Sequence, residues 1–175
     1  IVFKEVENKQ WMVARHDGSW TRMDKAFKRA EGLLENWMKE HHDKDCYPPT
    51  IINITDGEYN GTSYDEMQQL ANQLKSMFTN DGNVLLFNIH VVPEHAESVV
   101  FPATADELNG NGYGKKLYEM SSLLPLNYNE QIRNIFGDKQ ADIRYHAMGV
   151  NTGMERLVKM MKIATLSRML ANQNP

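Results

Sequence analysis

Two apolar segments, separated by a stretch with helical periodicity, constrain most narrowly what this chain can fold into. Residues 50–55 are rich in β-branched side chains and lie between Pro48-Pro49 and Asp56-Gly57, a composition that predicts a buried strand with an abrupt end. Residues 84–91 are apolar enough for a strand that is covered on both faces. A helix-bearing connection between two strands of one sheet makes them parallel. The sequence therefore predicts an α/β fold.

Local signals place helices before and after the first of these strands. Apolar residues at a spacing of three and four predict a helix over 21–41, with Thr21 as its N-cap and Asp24 near its positive end. Ser63-x-x-Glu66 matches a capping box and predicts a second helix. The expected buried face of this second helix is Met67, Leu70, Ala71, Leu74 and Phe78.

The remaining segments carry weaker signals. We expect a hairpin from strands at 1–6 and 11–14, a turn at 80–83, a loop over 92–114, short helices at 115–124 and 128–136, a strand at 143–148, and a last helix capped by Asn151 or Thr152. The glycines at 110, 112 and 114 follow no predicted strand and lack the lysine and hydroxyl of a P-loop. We therefore interpret them as part of a flexible loop.

The composition indicates a single domain and excludes several classes of partner. With 175 residues and 41% hydrophobic content the chain can form one substantial core, and we assign residues 1–175 to one domain. The formal net charge of −4 is not gathered into runs, so neither a nucleic acid nor a membrane is expected as a partner. The apolar runs are also too short to span a bilayer.

Two further features bear on the origin of the chain. Cys46 is the only cysteine, which excludes an intrachain disulfide, provides no zinc pattern and fits a reducing, cytoplasmic compartment. No signal peptide is visible. Because the chain begins at Ile1 instead of a methionine, we expect that its true N-terminus has been lost.

The order of these elements resembles the von Willebrand factor A domain, and in particular the bacterial stand-alone members of that family. The resemblance is carried by Thr55-Asp56-Gly57 after an apolar strand, by the polar loop and helix that follow, and by the strand at 84–90. It runs from about residue 11 to residue 165 and includes the stretches 101–108 and 150–165. It implies a Rossmann-like, three-layer α/β fold with a mostly parallel sheet, here partial because the first strands are missing.

The resemblance also implies a metal-ion-dependent adhesion site (MIDAS). Domains of this family bind Mg²⁺ or Mn²⁺ through an Asp-x-Ser-x-Ser loop, a threonine from a second loop and the aspartate of a later strand, and a protein partner completes the shell with its own carboxylate. Asp56 matches the late aspartate, and Thr21 matches the second-loop threonine. Such a small hard cation prefers oxygen ligands. The implied function is non-enzymatic, metal-dependent protein binding.

The first loop of the family pattern has no clear counterpart in this sequence. Its nearest match is Asp17-Gly18-Ser19-Trp20-Thr21, which could supply Asp17, Ser19 and Thr21 as ligands. Only one predicted helix separates this stretch from the strand at 50–55, whereas the family places two more strands and another helix there. We therefore prefer residues 18–23 as the second loop, with Thr21 as a ligand and with Asp17 and Ser19 as loop residues.

Loss of the first strand has a structural consequence. In this family the first strand pairs beside the strand that ends here at Asp56, so its absence would expose an apolar sheet edge, which is a template for another chain. We expect a complementary fragment, a second copy of this chain or the hairpin at 1–14 to cover that edge.

Other interpretations of these residues stay open. Asp56-Gly57 is also ordinary turn chemistry. Asp56 with Glu58 could serve a Mg²⁺-dependent phosphoryl-transfer or hydrolytic enzyme, although such sites usually gather more carboxylates. The fragment could also be a metal-free scaffold. His41-His42 fits a solvated connection better than a metal cluster, and His90 and His146 fit core-edge positions better than catalytic bases.

Overall fold

A computed structural model describes residues 21–42, 44–91, 97–108, 112–137 and 139–165 of the chain. The strands of this part are β1 (Thr50–Thr55), β2 (Phe78–Thr79), β3 (Gly82–Asn83), β4 (Leu85–His90), β5 (Val99–Val100) and β6 (Met148–Val150). Its α-helices are α1 (Met23–His41), α2 (Tyr64–Ser76), α3 (Gly112–Met120), α4 (Asn129–Phe136) and α5 (Met154–Ala164). Short 3₁₀ segments lie at Ala105–Leu108 and Leu126–Tyr128.

A four-stranded, mostly parallel sheet in the order β1-β4-β6-β5 organises the described residues. β1 and β6 flank β4 and run parallel to it, while β5 is antiparallel to β6. The prediction of two parallel strands joined through a helix is therefore confirmed. β2 and β3 form a separate hairpin with its turn at residues 80 and 81, whereas Gly82 and Asn83, the second half of the turn predicted at 80–83, belong to β3.

β4 is buried along its whole length because helices cover both faces of the sheet. On one face, Leu86 belongs to an apolar core that α1, α2 and α3 complete. On the other face, Leu85, Phe87 and Ile89 belong to a second core that α4 and α5 complete. The alternation of these side chains is that of a strand covered on both sides. The chain thus has a mixed α/β architecture, as the sequence predicted.

A buried polar chain links β1, β4 and α3. The side-chain nitrogen of Asn53 donates to Oδ1 of Asn88 over 2.8 Å. The nitrogen of Asn88 donates in turn to Oγ of Ser121 (3.0 Å) and to the carbonyl of Leu117 (3.2 Å). Asn88 and Ser121 are buried, so each of these bonds satisfies a group that solvent does not reach.

The capping box of α2 is confirmed, and the predicted N-cap of α1 is wrong. The amide of Glu66 donates to Oγ of Ser63 (3.2 Å), and the amide of Ser63 donates to Oε2 of Glu66 (2.9 Å). In α1 the N-cap is Arg22, which makes no side-chain capping bond, and Thr21 lies one residue before it. Thr21 is held there because its carbonyl accepts a hydrogen bond from the amide of Asn60 (2.8 Å).

Three predicted boundaries also differ from the structure. Phe78 is 71% exposed in β2, because α2 ends at Ser76 and the backbone of Met77 is extended. α3 begins within the glycine-rich stretch, at residue 112 instead of 115, and ends at Met120. The chain after it turns toward the sheet, where the amide of Ser122 donates to the carbonyl of Leu86.

The last strand and the last helix start later than predicted. The strand predicted at 143–148 is observed as β6, at Met148–Val150. The residues before it form a loop, because Asn129 donates to the carbonyls of Ala141 and Ile143. The N-cap of α5 is Gly153, neither Asn151 nor Thr152. Asn151 instead adopts a left-handed backbone (φ 47°) and donates its amide to the carbonyl of His90. The hairpin predicted within residues 1–14 lies outside the described residues.

Candidate functional site

Asp56 lies at the carboxyl end of β1, on an exposed turn. The amide of Gly57 donates to Oγ1 of Thr55 (3.1 Å), and the amide of Glu58 donates to Oδ1 of Asp56 (3.2 Å). The Asp56 carboxylate therefore closes its own turn, as an aspartate before glycine often does. Its second oxygen accepts no hydrogen bond from the described residues, and the side chain is exposed. One carboxylate oxygen thus remains directed to solvent at the sheet edge.

His90 fixes the backbone of this turn from the neighbouring strand. It ends β4, is buried, and places Nε2 2.8 Å from the backbone carbonyl of Asp56. A carbonyl oxygen can only accept, so Nε2 carries the proton in this contact. The prediction of a core-edge histidine at this position is confirmed.

Only glycine fits at position 57. Its φ of +86° lies in the left-handed region, which side chains with a Cβ rarely adopt. A Cβ added there would lie 2.7 Å from Nε2 of His90 and 2.8 Å from Cβ of Tyr113. Glycine at position 57 is thus required by the close approach of β4 and α3 to this turn.

Thr21 lies at the same end of the sheet and is joined to the loop that carries Asp56. The hydrogen bond from the amide of Asn60 to the carbonyl of Thr21 (2.8 Å) connects the start of α1 to the loop between β1 and α2. The side chains of Thr21 and Asp56 are both exposed. The structure therefore brings the segments of the two predicted metal ligands together.

Arg22 reinforces the same junction. Its guanidinium lies against Gly61, since a Cβ added to that glycine would be 3.0 Å from Cζ of Arg22. The guanidinium also binds both carboxylate oxygens of Asp24, at 2.9 and 2.8 Å. This hydrogen bonding lowers the pKa of Asp24 from 3.8 to about 2. Asp24 therefore neutralises Arg22 and is not available as a metal ligand.

The described residues contribute an incomplete ligand set for a metal ion. Among them, no three histidine, cysteine, aspartate or glutamate side chains are grouped closely enough to hold one. The hydroxyl of Thr21 and the carboxylate of Asp56 are oxygen ligands of the kind that Mg²⁺ accepts, but an octahedral shell needs more. Asp17 and Ser19, the alternative ligands, lie outside the described residues.

A rim of tyrosines and lysine, which sequence reasoning missed, borders the turn. Tyr113 is partly exposed and packs against Gly57. The ammonium of Lys116 lies 5.5 Å from the ring centroid of Tyr113 and 5.8 Å from that of Tyr64. The Tyr64 hydroxyl donates to the Glu119 carboxylate. Burial is the main cause that raises the pKa of Tyr64, and this hydrogen bond is the second. The available signal was the helical spacing between Tyr113, in the predicted loop over 92–114, and Lys116, in the helix predicted at 115–124.

His41 and His42, at the carboxyl end of α1, have structural partners. Nδ1 of His41 lies 2.7 Å from the carbonyl of Trp37, and the two rings stack. Nδ1 of His42 lies 3.0 Å from the carbonyl of Lys39. Both contacts fit the solvated connection predicted for this stretch.

His146 is half-buried at the opposite end of α3, where its ring lies 3.8 Å from that of Tyr118. Burial, together with the charges of Lys75 and Arg144, lowers the pKa of His146 from 6.5 to about 4. The imidazole is therefore neutral near pH 7, in agreement with a core-edge position.

Comparison with known proteins finds no protein-family model, no curated protein and no solved structure that matches this chain. Within the described ranges, none of the helices combines the length and the apolar character needed to cross a membrane.

Proposed function

We propose that this chain is a non-enzymatic protein-binding module of the von Willebrand factor A type, in which Mg²⁺ or Mn²⁺ recognises a carboxylate of the partner. Thr21 and Asp56 supply part of the metal shell. The observation that carries the proposal is the backbone hydrogen bond between Thr21 and Asn60, because it holds the segment of one ligand against the loop of the other. The proposal includes the partial, Rossmann-like three-layer fold that the resemblance implied.

The fit of a divalent cation depends on the chemistry of these two groups. An exposed carboxylate oxygen and a hydroxyl match a hard cation, and His90 and Gly57 fix the backbone that presents the carboxylate. With only one carboxylate directly in the shell, the site would keep positive charge. A bound cation would thus attract an acidic group from a partner.

The rim beside Asp56 suits a protein partner. Tyr113 presents an aromatic surface, and Lys116 adds a cation next to it. Tyrosine side chains often dominate protein interfaces because they bury much area with few rotatable bonds. An acidic segment could therefore place one carboxylate at the metal and a second near Lys116.

Mn²⁺ binding followed by electron paramagnetic resonance tests the proposal. We expect the wild-type chain to bind Mn²⁺, Asp56→Ala to lose binding, and Thr21→Ala to weaken it. Asp65→Ala is the matched control, because Asp65 is an exposed aspartate in the first turn of α2. Equal Mn²⁺ binding by wild type and Asp56→Ala, or none by either, would leave the metal-free scaffold as the better description.

Acetate provides a second measurement that does not require the partner. If a free coordination position accepts a carboxylate, acetate and Mn²⁺ should each raise the affinity for the other by the same factor. The enzyme alternative predicts instead Mg²⁺-dependent turnover of a phosphate ester that Asp56→Ala abolishes. Absence of coupling between acetate and Mn²⁺ would contradict recognition of a carboxylate.

A further inference from the structure

A cavity of about 340 Å³ lies beside β5, at the end of the sheet opposite to β1. Its lining comes from both sides of the sheet. The 3₁₀ segment Ala105–Leu108 joins the core that contains α1, α2 and α3, whereas α4 and α5 belong to the other core. Cavities of this size are typical of sites for small molecules. The space at this end of the sheet is therefore large enough for a small ligand.

Side chains of both charges line this cavity. Arg156 of α5 and Lys139, after α4, are basic, and Glu97 and Glu107 are acidic. The ion pairs found within the described ranges join other side chains of the molecule. Two acids and two bases thus share one space and form no ion pair with one another.

Arg156 is anchored beside β5 through one of its nitrogens. Nη1 donates to the carbonyl oxygen of Ser98 (3.3 Å) and to its Oγ (3.2 Å). Nε and Nη2 donate to no group among the described residues. Because a guanidinium presents its donors as a planar fork, two adjacent N–H groups can bind both oxygens of a carboxylate. Arg156 is thus held in place and keeps donors for a carboxylate of a ligand.

Neutral groups hold two of the other charged side chains. The ammonium of Lys139 lies 5.1 Å from the ring centroid of Tyr145, which is buried. Oε1 of Glu107 accepts hydrogen bonds from the amides of Ala103 (2.7 Å) and Thr104 (3.0 Å), and Oε2 accepts none within the described ranges. Since these contacts fix the side chains before a ligand arrives, binding costs less conformational entropy.

We propose that this cavity binds a small zwitterion of the α-amino acid class. Arg156 and Lys139 bind the carboxylate of the ligand, and Glu97 and Glu107 bind its ammonium group. The lining has no net charge, because two acids balance two bases. A ligand with charge of one sign only would leave one pair of these side chains without a partner and would be repelled by it.

An apolar wall of the cavity indicates which kind of amino acid binds. Val100 and Phe136 belong to the lining, and Phe136 packs edge-on against the buried ring of Phe101, with the ring centroids 5.5 Å apart. An apolar side chain of the ligand would remove this wall from water. We therefore expect leucine to bind better than glycine. Asp56 is not part of the lining, so this inference does not depend on the proposed metal site.

Isothermal titration calorimetry of the full chain with leucine tests the assignment, in buffer without added metal. We expect the wild type to bind leucine, and the dissociation constant to rise by about tenfold or more in Arg156→Gln, which loses charged hydrogen-bond donors. Arg133→Gln is the matched control, because Arg133 is an exposed arginine of α4 outside the lining. Circular dichroism establishes that each variant is folded. No binding of leucine by the wild type, or equal binding by Arg156→Gln, would overturn the proposal.

Two derivatives of leucine test whether both charges of the ligand are needed. N-acetylleucine keeps only the carboxylate, as the last residue of a peptide does, and leucinamide keeps only the ammonium group, as a first residue does. Each should bind about tenfold or more weakly than leucine. Glu97→Gln should weaken the binding of leucine without weakening that of N-acetylleucine. Equal affinity for leucine and either derivative would identify a site for a peptide terminus and would overturn the zwitterion.

Discussion

The imidazole of His90 donates a hydrogen bond to the backbone carbonyl of Asp56, with Nε2 and the oxygen 2.8 Å apart. This bond joins the ends of two neighbouring parallel strands at residues 55 and 90. It leaves the Asp56 side chain directed away from the core while its backbone is fixed. The exposed carboxylate is therefore presented by a rigid support, which a binding site requires.

Gly57→Ala should destabilise the protein by about 1–3 kcal/mol, because the methyl group collides with His90 and the backbone must hold a positive φ. Urea unfolding measures the change in free energy. Gly32→Ala is the matched control, since an added Cβ at Gly32 in α1 meets no atom within 4 Å. That substitution should stabilise the protein by about 0.5–1 kcal/mol. Equal effects of the two substitutions would contradict the close packing around Gly57.

His146 should make the stability fall as the pH is lowered. Its pKa is about 4 in the folded protein, below the usual 6.5, so the unfolded chain binds more protons between these values. The free energy of unfolding is then highest above pH 6.5 and declines toward pH 4, by about 2 kcal/mol from this group once partial exposure is considered.

Urea unfolding at a series of pH values, compared between wild type and His146→Phe, isolates this contribution. The phenylalanine keeps a ring against Tyr118 but cannot bind a proton, so its stability should decline less between pH 6.5 and pH 4. His42→Phe serves as the control at an exposed position. Parallel pH profiles for wild type and His146→Phe would rule out the depressed pKa.

The elements that the sequence predicted well are those with local signals. Pro48-Pro49 and Asp56-Gly57 mark the ends of β1, and Ser63 with Glu66 marks the start of α2. Each of these signals acts within a few residues of the chain. The structure places both elements where the local chemistry requires.

The elements that were misplaced depend on distant partners. Ser122 leaves the predicted helix because its amide bonds to Leu86, and Ile143 leaves the predicted strand because Asn129 binds its carbonyl. Propensity within a short window carries no information about these contacts.

In the candidate site, too, some features follow from local signals and others depend on distant contacts. The position of Asp56 at the carboxyl end of a strand follows from the local signals that end β1 at Asp56-Gly57. The approach of Thr21 to the Asp56 loop depends on the amide of Asn60, and the rim depends on α3 packing Tyr113 against Gly57. Only the three-dimensional arrangement reveals these contacts.

The polar chain between the two parallel strands gives the last prediction. Asn88→Ala should destabilise the protein by about 2–4 kcal/mol, because it opens a cavity and removes both the acceptor of the Asn53 side-chain amide and the donor to Oγ of Ser121. Asn72→Ala, at an exposed position of α2, should change the free energy of unfolding by less than about 0.5 kcal/mol.

A double-mutant cycle tests whether the two asparagines act together. If the bond between Asn53 and Asn88 contributes to stability, then combining Asn53→Ala with Asn88→Ala should cost less than the sum of the single changes, by about 0.5–3 kcal/mol. Urea unfolding of the wild type, both single variants and the double variant supplies the four free energies. Strict additivity would show that β1 and β4 are held by their backbone ladder and apolar packing, with no contribution from this side-chain bond.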